Sequence, residues 1–180
     1  MGLDQYLMAK RYISKRKEEN EKIRAIFPEM YKTDNLDNIN VDFEIGYWRK
    51  ANQIHKWFVD NCQDGNDDCG NYGVSREKIK ELLKICEAIV TGTKMEVGVV
   101  QNGSTADAKS NFEMVPNLEE GKVMVDSTLA ESLLPSEGGF FFGNTDYNEW
   151  YMDDVKLTIS IITKALTLST EWEFYYHSSW

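Results

Sequence analysis

Ile39-Asn40-Val41-Asp42-Phe43-Glu44-Ile45, running without a break into Gly46-Tyr47-Trp48-Arg49-Lys50-Ala51-Asn52-Gln53-Ile54-His55-Lys56-Trp57-Phe58, is where the fold of this chain is decided. In the first seven residues Ile39, Val41, Phe43 and Ile45 fall on one side and Asn40, Asp42 and Glu44 on the other. That period of two marks a half-buried strand. From Glu44 to Phe58 the spacing becomes helical. Trp48, Ala51, Asn52, His55, Phe58, Val59 and Cys62 share one face, while Arg49, Gln53, Lys56 and Asp60 share another. A strand therefore runs straight into a helix, and the pattern puts the turn at Gly46. A polar-faced strand feeding an amphipathic helix is the signature of an α+β arrangement.

The flanks extend this reading. Leu3 to Ile13 reads as a strand, with Leu3, Leu7 and Ile13 on one parity and Tyr6, Met8 and Tyr12 on the other, so it is expected to be covered on both faces. The charged run from Lys15 to Arg24 reads as a solvated helix or loop. Residues 60–73 are an Asp-, Asn- and Gly-rich loop. Ser75 caps a second helix, with Glu77 near its positive end, a stripe of Ile79, Leu82, Leu83, Cys86, Ile89 and Val90, and a stop at Gly92. Val97, Val99 and Val100 suggest one strand, Val123 and Val125 another. The polar stretch between them has no period, and residues 101–118 read as an exposed hairpin or insertion. A short helix follows from Ser127 to Leu134, stopped by Pro135. Thr145 is expected to cap a long helix to about Leu168, with Tyr151, Val155, Ile159, Ile162 and Leu166 as its seam. Glu171 to His177 alternates as a terminal strand. The whole, residues 1–180, reads as a single α+β domain: a mixed or antiparallel sheet packed by about three main helices.

Net charge is −10 and the pI about 4.7, which argues against nonspecific binding to nucleic acid or anionic membrane. No run of apolar residues reaches membrane-spanning length. The opening Met1-Gly2-Leu3-Asp4-Gln5-Tyr6 has neither the basic and apolar regions of a signal peptide nor the Ser or Thr that myristoylation needs at position 6. Three cysteines, Cys62, Cys69 and Cys86, read as reduced thiols, and the expected location is cytoplasmic.

His55 is the candidate with most chemistry. It sits in an apolar stripe with Asn52 one turn before it. One reading is a core histidine bonded by Asn52 or a carbonyl; the other is a pocket base or ligand donor. The catalytic candidates are His55, Asp4 and Asp146. Arg49, beside Tyr47 and Trp48, suits one wall of an anion pocket. The acidic loop fails the calcium template in both registers: started at Asp60 it has Cys62 and Asn71 at required positions, and started at Asp64 it has Cys69 and Ser75. Two histidines and scattered cysteines make no zinc set, so neither metal nor cofactor is expected. Residues 138–143, three Phe bracketed by glycines, lack the Lys-Ser/Thr of a phosphate loop. They read as a tight turn with packed rings, or as a junction offering amides to an anion beside Thr145 and Asp146. Asp146 is most simply a partner for the helix dipole. No Gly-x-Ser-x-Gly element is present.

The opening Gly2-Leu3-Asp4-x-Tyr6-Leu7, the block Gly46-Tyr47-Trp48-Arg49-Lys50-Ala51-Asn52-x-Ile54-His55-x-Trp57-Phe58, the loop Asp67-Asp68-Cys69-Gly70, and Leu133-Leu134-Pro135 leading to Gly139-Phe140-Phe141-Phe142-Gly143-x-Thr145-Asp146-Tyr147 together resemble a widespread family of small uncharacterised bacteriophage proteins. The resemblance implies a biological setting, the host cytoplasm, and no transferable activity. The expected function is that of a phage accessory protein binding a small anionic, nucleotide-like ligand or a host protein, with counter-defence as the setting. The expected ligand wall is Trp48, Arg49, Asn52, His55, Phe140, Phe141, Phe142, Thr145 and Asp146. Two alternatives stand beside it: a small enzyme using His55 with an acidic partner on a nucleotide-like substrate, and an acidic host-interaction protein without a pocket. Two titratable groups within hydrogen-bond reach would favour the enzyme.

Overall fold

Strand β1 (Asp4–Ile13) is the spine of the molecule, because it is paired on both edges. On one side runs β2 (Ile39–Arg49), on the other β6 (Glu173–Ser179), and β6 in turn pairs β3 (Asn71–Val74). All three pairings are antiparallel, giving the order β2-β1-β6-β3. A separate two-stranded sheet is formed by β4 (Met95–Asp107) and β5 (Glu113–Met124). Helices α1 (Glu18–Ile26), α2 (Asn52–Cys62), α3 (Arg76–Gly92), α4 (Thr128–Leu133) and α5 (Glu149–Leu166) complete the chain. The computed structural model describes residues 2–28, 38–107 and 113–180; part of the polar stretch after Val100, residues 108–112, lies outside them. The result is an α+β domain, as the sequence pattern implies.

Helices α2, α3 and α5 cover one face of the four-stranded sheet. Leu7 and Ala9 of β1, Trp48 of β2, Val74 of β3 and Phe174 and Tyr176 of β6 meet Ile54 and Phe58 of α2, Ile79, Leu82, Cys86 and Ile89 of α3, and Val155, Ile162 and Ala165 of α5 in one core. Burial of such side chains contributes about 1.5–3 kcal/mol each. The other face is open. Tyr6, Met8 and Lys10 of β1 are only partly covered and Tyr12 is exposed, so β1 is covered on one side, not on both. The even-numbered aromatics sit there as tolerated surface residues.

The strand-to-helix passage differs from the sequence expectation in an instructive way. Leu7 pairs with Gly46, yet the next residue, Met8, pairs with Glu44, which leaves Ile45 as the extra residue of a β-bulge. The bulge switches the core-facing parity of β2 from odd to even. Ile39 is buried before it; Gly46 and Trp48 are buried after it. Trp48 therefore belongs to the strand, not the helix. Gly46 does not turn the chain: a Cβ there would stand 2.3 Å from Ile161 Cγ2, so its role is to let β2 pass close against α5. The turn is made at Lys50, with a positive φ of 60°. The Lys50 amide donates to Leu3 O at 2.7 Å and the Asn52 amide to Lys50 O at 2.8 Å. Helix α2 starts at Asn52.

Two other ends are set by capping. The Ser75 hydroxyl accepts from the Lys78 amide, as its position predicts. Helix α5 is capped by Asn148, whose Oδ1 accepts from the Trp150 and Tyr151 amides, and not by Thr145. Asn is as good a cap as Thr, and residues 143–147 are loop. Asp146 thus lies outside the first turn, where Glu149 takes the dipole position. Among the described residues no helix is long and apolar enough to cross a membrane.

Candidate functional site

The amino-terminal end of α2 is wrapped by the loop between α4 and α5. Asn52, 1% exposed, holds that loop: its Nδ2 donates to Phe142 O (3.2 Å) and Asn144 O (2.8 Å), and its Oδ1 accepts from the Glu137 amide (3.0 Å). The helix and the Phe140 turn therefore converge in space. The three rings diverge within the turn. Phe142 meets the His55 ring edge-on, with centroids 5.1 Å apart, Phe141 stacks towards Trp180, and Phe140 is 96% exposed. The packed-ring reading thus holds for Phe142 and fails for Phe140.

His55 lies at the centre of a buried polar chain. Its Nε2 faces Asp67 Oδ2 at 3.0 Å and its Nδ1 faces the Tyr176 hydroxyl at 2.8 Å. Tyr176 donates to Gln5 Oε1 at 3.0 Å, and Gln5 Nε2 donates to Ala51 O at 3.1 Å. Hydrogen-bond accounting then fixes the protons. Ala51 O can only accept, so Gln5 must turn its amide nitrogen there and its oxygen to Tyr176. The Tyr176 hydrogen is thereby spent on Gln5, and the tyrosine has only a lone pair to offer His55. Nδ1 must donate. On its other side the ring presents Nε2 to the Asp67 carboxylate at 3.0 Å, a contact that is an ion pair when the imidazole carries both protons. Both ring nitrogens are thus engaged by protein groups, and neither is free to face a pocket as the base or ligand donor that its position in the stripe suggests. His55 is 1% exposed and the Asp67 side chain 28% exposed, so Asp67 is the group that touches water. Asp67 Oδ1 also accepts from Trp180 Nε1 at 3.1 Å. Burial raises the Tyr176 hydroxyl well above the ordinary phenol range and keeps it protonated.

The acidic partner is therefore Asp67, and neither Asp4 nor Asp146. Asp4 accepts from the Tyr47 hydroxyl at the sheet edge. Asp146, Thr145 and Arg49 line a cleft of about 770 Å³ on the other side of α2, together with Lys50, Gln53, Asn144, Trp150 and Asp154. Trp48 is no pocket wall. It is fully buried, donates from Nε1 to Thr158 Oγ1 at 2.9 Å and packs on Phe58. Within the cleft, burial pushes the Asp154 carboxyl up to about 7, although Gln53 Nε2, donating to it at 3.2 Å, pulls the other way. The cysteines are free; burial raises the Cys62 thiol to about 11 and Cys86 to about 12.

Of the acidic loop, Asp67 is committed to His55 and Trp180, and Asp68 accepts from the Gly70 amide and the Tyr72 hydroxyl. Among the described residues no group of three or more His, Cys, Asp or Glu is placed to hold a metal. Sequence reasoning missed Asp67 and Tyr176 as partners of His55, and Lys50, Gln53 and Asp154 as cleft residues. One signal was readable: Gln5 shares the parity of Leu3 and Leu7, and a polar side chain on a buried parity must find a partner. No family model, no curated protein and no solved structure matches this chain.

Proposed function

We propose that the protein is a small acid–base enzyme acting on a nucleotide-like anion, with His55 as proton donor and Asp67 as its counter-ion. The observation that carries this is the buried His55–Asp67 pair, two titratable groups 3.0 Å apart. Holding a histidine that is 1% exposed against a carboxylate is costly unless both are well bonded, and closely paired titratable groups in partly covered positions are the arrangement that acid–base chemistry uses. The Asp67 side chain, 28% exposed, is the edge of the pair that solvent reaches, and a proton given up by His55 is replaced from water there. Phe142 and Trp180 cover the pair, so substrate access requires the Phe140 turn to lift, as active-site loops do. The proposed setting is a bacteriophage accessory protein in the host cytoplasm; it rests on the motif resemblance alone.

The burial of His55 supports a second reading, in which the chain binds a ligand or host protein without chemistry and the pair is a structural strut. Turnover of a nucleotide panel by wild type and by His55→Gln separates them. An enzyme loses turnover in the variant while ligand affinity survives. A binder shows no turnover in either form, and the variant loses stability alone.

A further inference from the structure

We propose that the cleft on the far side of α2 is a separate binding site for a small anion carrying a hydrogen-bonding ring, of the mononucleotide class, with Arg49 and Lys50 holding its charged end. This goes beyond the His55 reading and shares none of its groups. Gln53 and His55, two residues apart, project about 200° apart around the helix, one to each side.

Size is the first support. About 770 Å³ lies within the range of small-molecule sites. Charge is the second. In a chain of net charge −10, two consecutive cations line this cleft, and among the described residues neither Arg49 nor Lys50 has a carboxylate partner. The two side chains also converge: Arg49 Nη2 and Lys50 Cε lie 3.9 and 3.2 Å from where a Cβ on Gly2 would stand.

The placement of Lys50 is built. Its φ of 60° is a conformation that strains a residue with a Cβ, and glycine would hold the same turn without that strain. A lysine there puts its stem across Gly143, where a Cβ would come within 3.2 Å of Lys50 Cβ. Backbone strain kept at a cleft wall points to a use for the side chain.

The remaining lining defines the rest of the ligand. Asp146 and Asp153 also face the cleft, and they disfavour an extended polyanion. They suit a ligand with one concentrated charge and hydrogen-bond donors elsewhere, such as ribose hydroxyls and ring amino groups. Asp154, bonded to the 2%-exposed Gln53, spends part of its time protonated near neutrality and then offers a donor in place of a further charge. Asn148 is 2% exposed and its Nδ2 has no partner. Trp150, 37% exposed, supplies an aromatic face for a ring.

Calorimetric titration of the full chain with AMP, GMP, CMP and UMP, with the matching nucleosides and with inorganic phosphate, tests this. At least one mononucleotide should bind with a Kd below about 1 mM, and its nucleoside and free phosphate should each bind at least roughly tenfold more weakly. Arg49→Ala and Lys50→Met should each weaken binding roughly tenfold or more, the scale of a lost charged hydrogen bond. His55→Gln, if it folds, should bind as wild type does, whether or not it has lost turnover. No binding by any mononucleotide at that concentration, or affinity unchanged in both cation variants, overturns the proposal. Phosphate binding as tightly as the best nucleotide overturns the ring half of it.

Discussion

Replacing Tyr176 by Phe removes one oxygen from the middle of the buried polar chain and little else. Tyr176 is fully buried, and its ring stacks on Phe58 with centroids 4.0 Å apart and planes 13° from parallel, a contact that Phe preserves. What is lost is the acceptor for His55 Nδ1 at 2.8 Å and the donor to Gln5 Oε1 at 3.0 Å. The space of one hydroxyl is below what a water molecule needs, so neither group regains a partner. Each stranded buried group costs about 1–3 kcal/mol, so the variant should lose about 2–6 kcal/mol. At this chain length each kcal/mol corresponds to about 2–4 °C, giving a drop in Tm of roughly 4–24 °C. Urea unfolding followed by tryptophan fluorescence and circular dichroism measures the loss, with an unchanged m-value confirming that only the native state is affected. Adding Gln5→Leu should cost less in the Tyr176→Phe background than in wild type, since the oxygen it removes is already unpaired. A loss below about 0.5 kcal/mol, the scale of an ordinary surface change, would mean that the chain of hydrogen bonds is not formed as described.

Three more outcomes follow from the same geometry. Gly46→Ala should destabilise by about 1–3 kcal/mol, because Ile161 would have to move from a packed face; a neutral result in chemical denaturation would refute the close β2–α5 crossing. Asn52→Ala removes three hydrogen bonds to the loop, worth about 2–4 kcal/mol together, and should speed deuterium uptake at residues 137–144 first; uniform protection would count against the tether. Asp154 has its folded carboxyl raised to about 7 against an unfolded value of about 3.9, so the native state holds the extra proton and stability falls as pH rises through that window. Asp154→Asn should therefore match wild type near pH 3.5, gain on it from there to about pH 7 and keep the gain above; a gap that closes with rising pH would reverse the sign and sink the assignment.

The alternation of Ile39 to Ile45 and the stripe through Phe58 carried the α+β reading, and both elements are present. Their junction was misplaced by four residues' worth of pattern, from Gly46 to Lys50, because a β-bulge at Ile45 imitates the change from a period of two to a helical one. Trp48 then falls on the helix's apolar wheel by coincidence of parity. The burial of Asn52 and His55 was legible, since both lie on that stripe whichever residue begins it. The partners of His55 were not. Asp67 comes from a loop and Tyr176 from the last strand, and no local spacing announces a contact across 121 residues. The cleft escaped for the same reason: it is assembled from the end of β2, the irregular middle of β4, the loop before α5 and the start of α5. Periodicity reports which face is buried, and it is silent on what fills the space between elements.

Steady-state turnover of a mononucleotide and dinucleotide panel by wild type and by Asp67→Asn tests the central claim most directly. Asn keeps an oxygen for the hydrogen bond with His55 Nε2 and removes the carboxylate charge beside the ring. The account predicts that wild type converts at least one member of the panel, and that Asp67→Asn, still folded, does so about 10²–10⁴-fold more slowly. A panel left intact by wild type, or a variant that turns over at the wild-type rate, contradicts it.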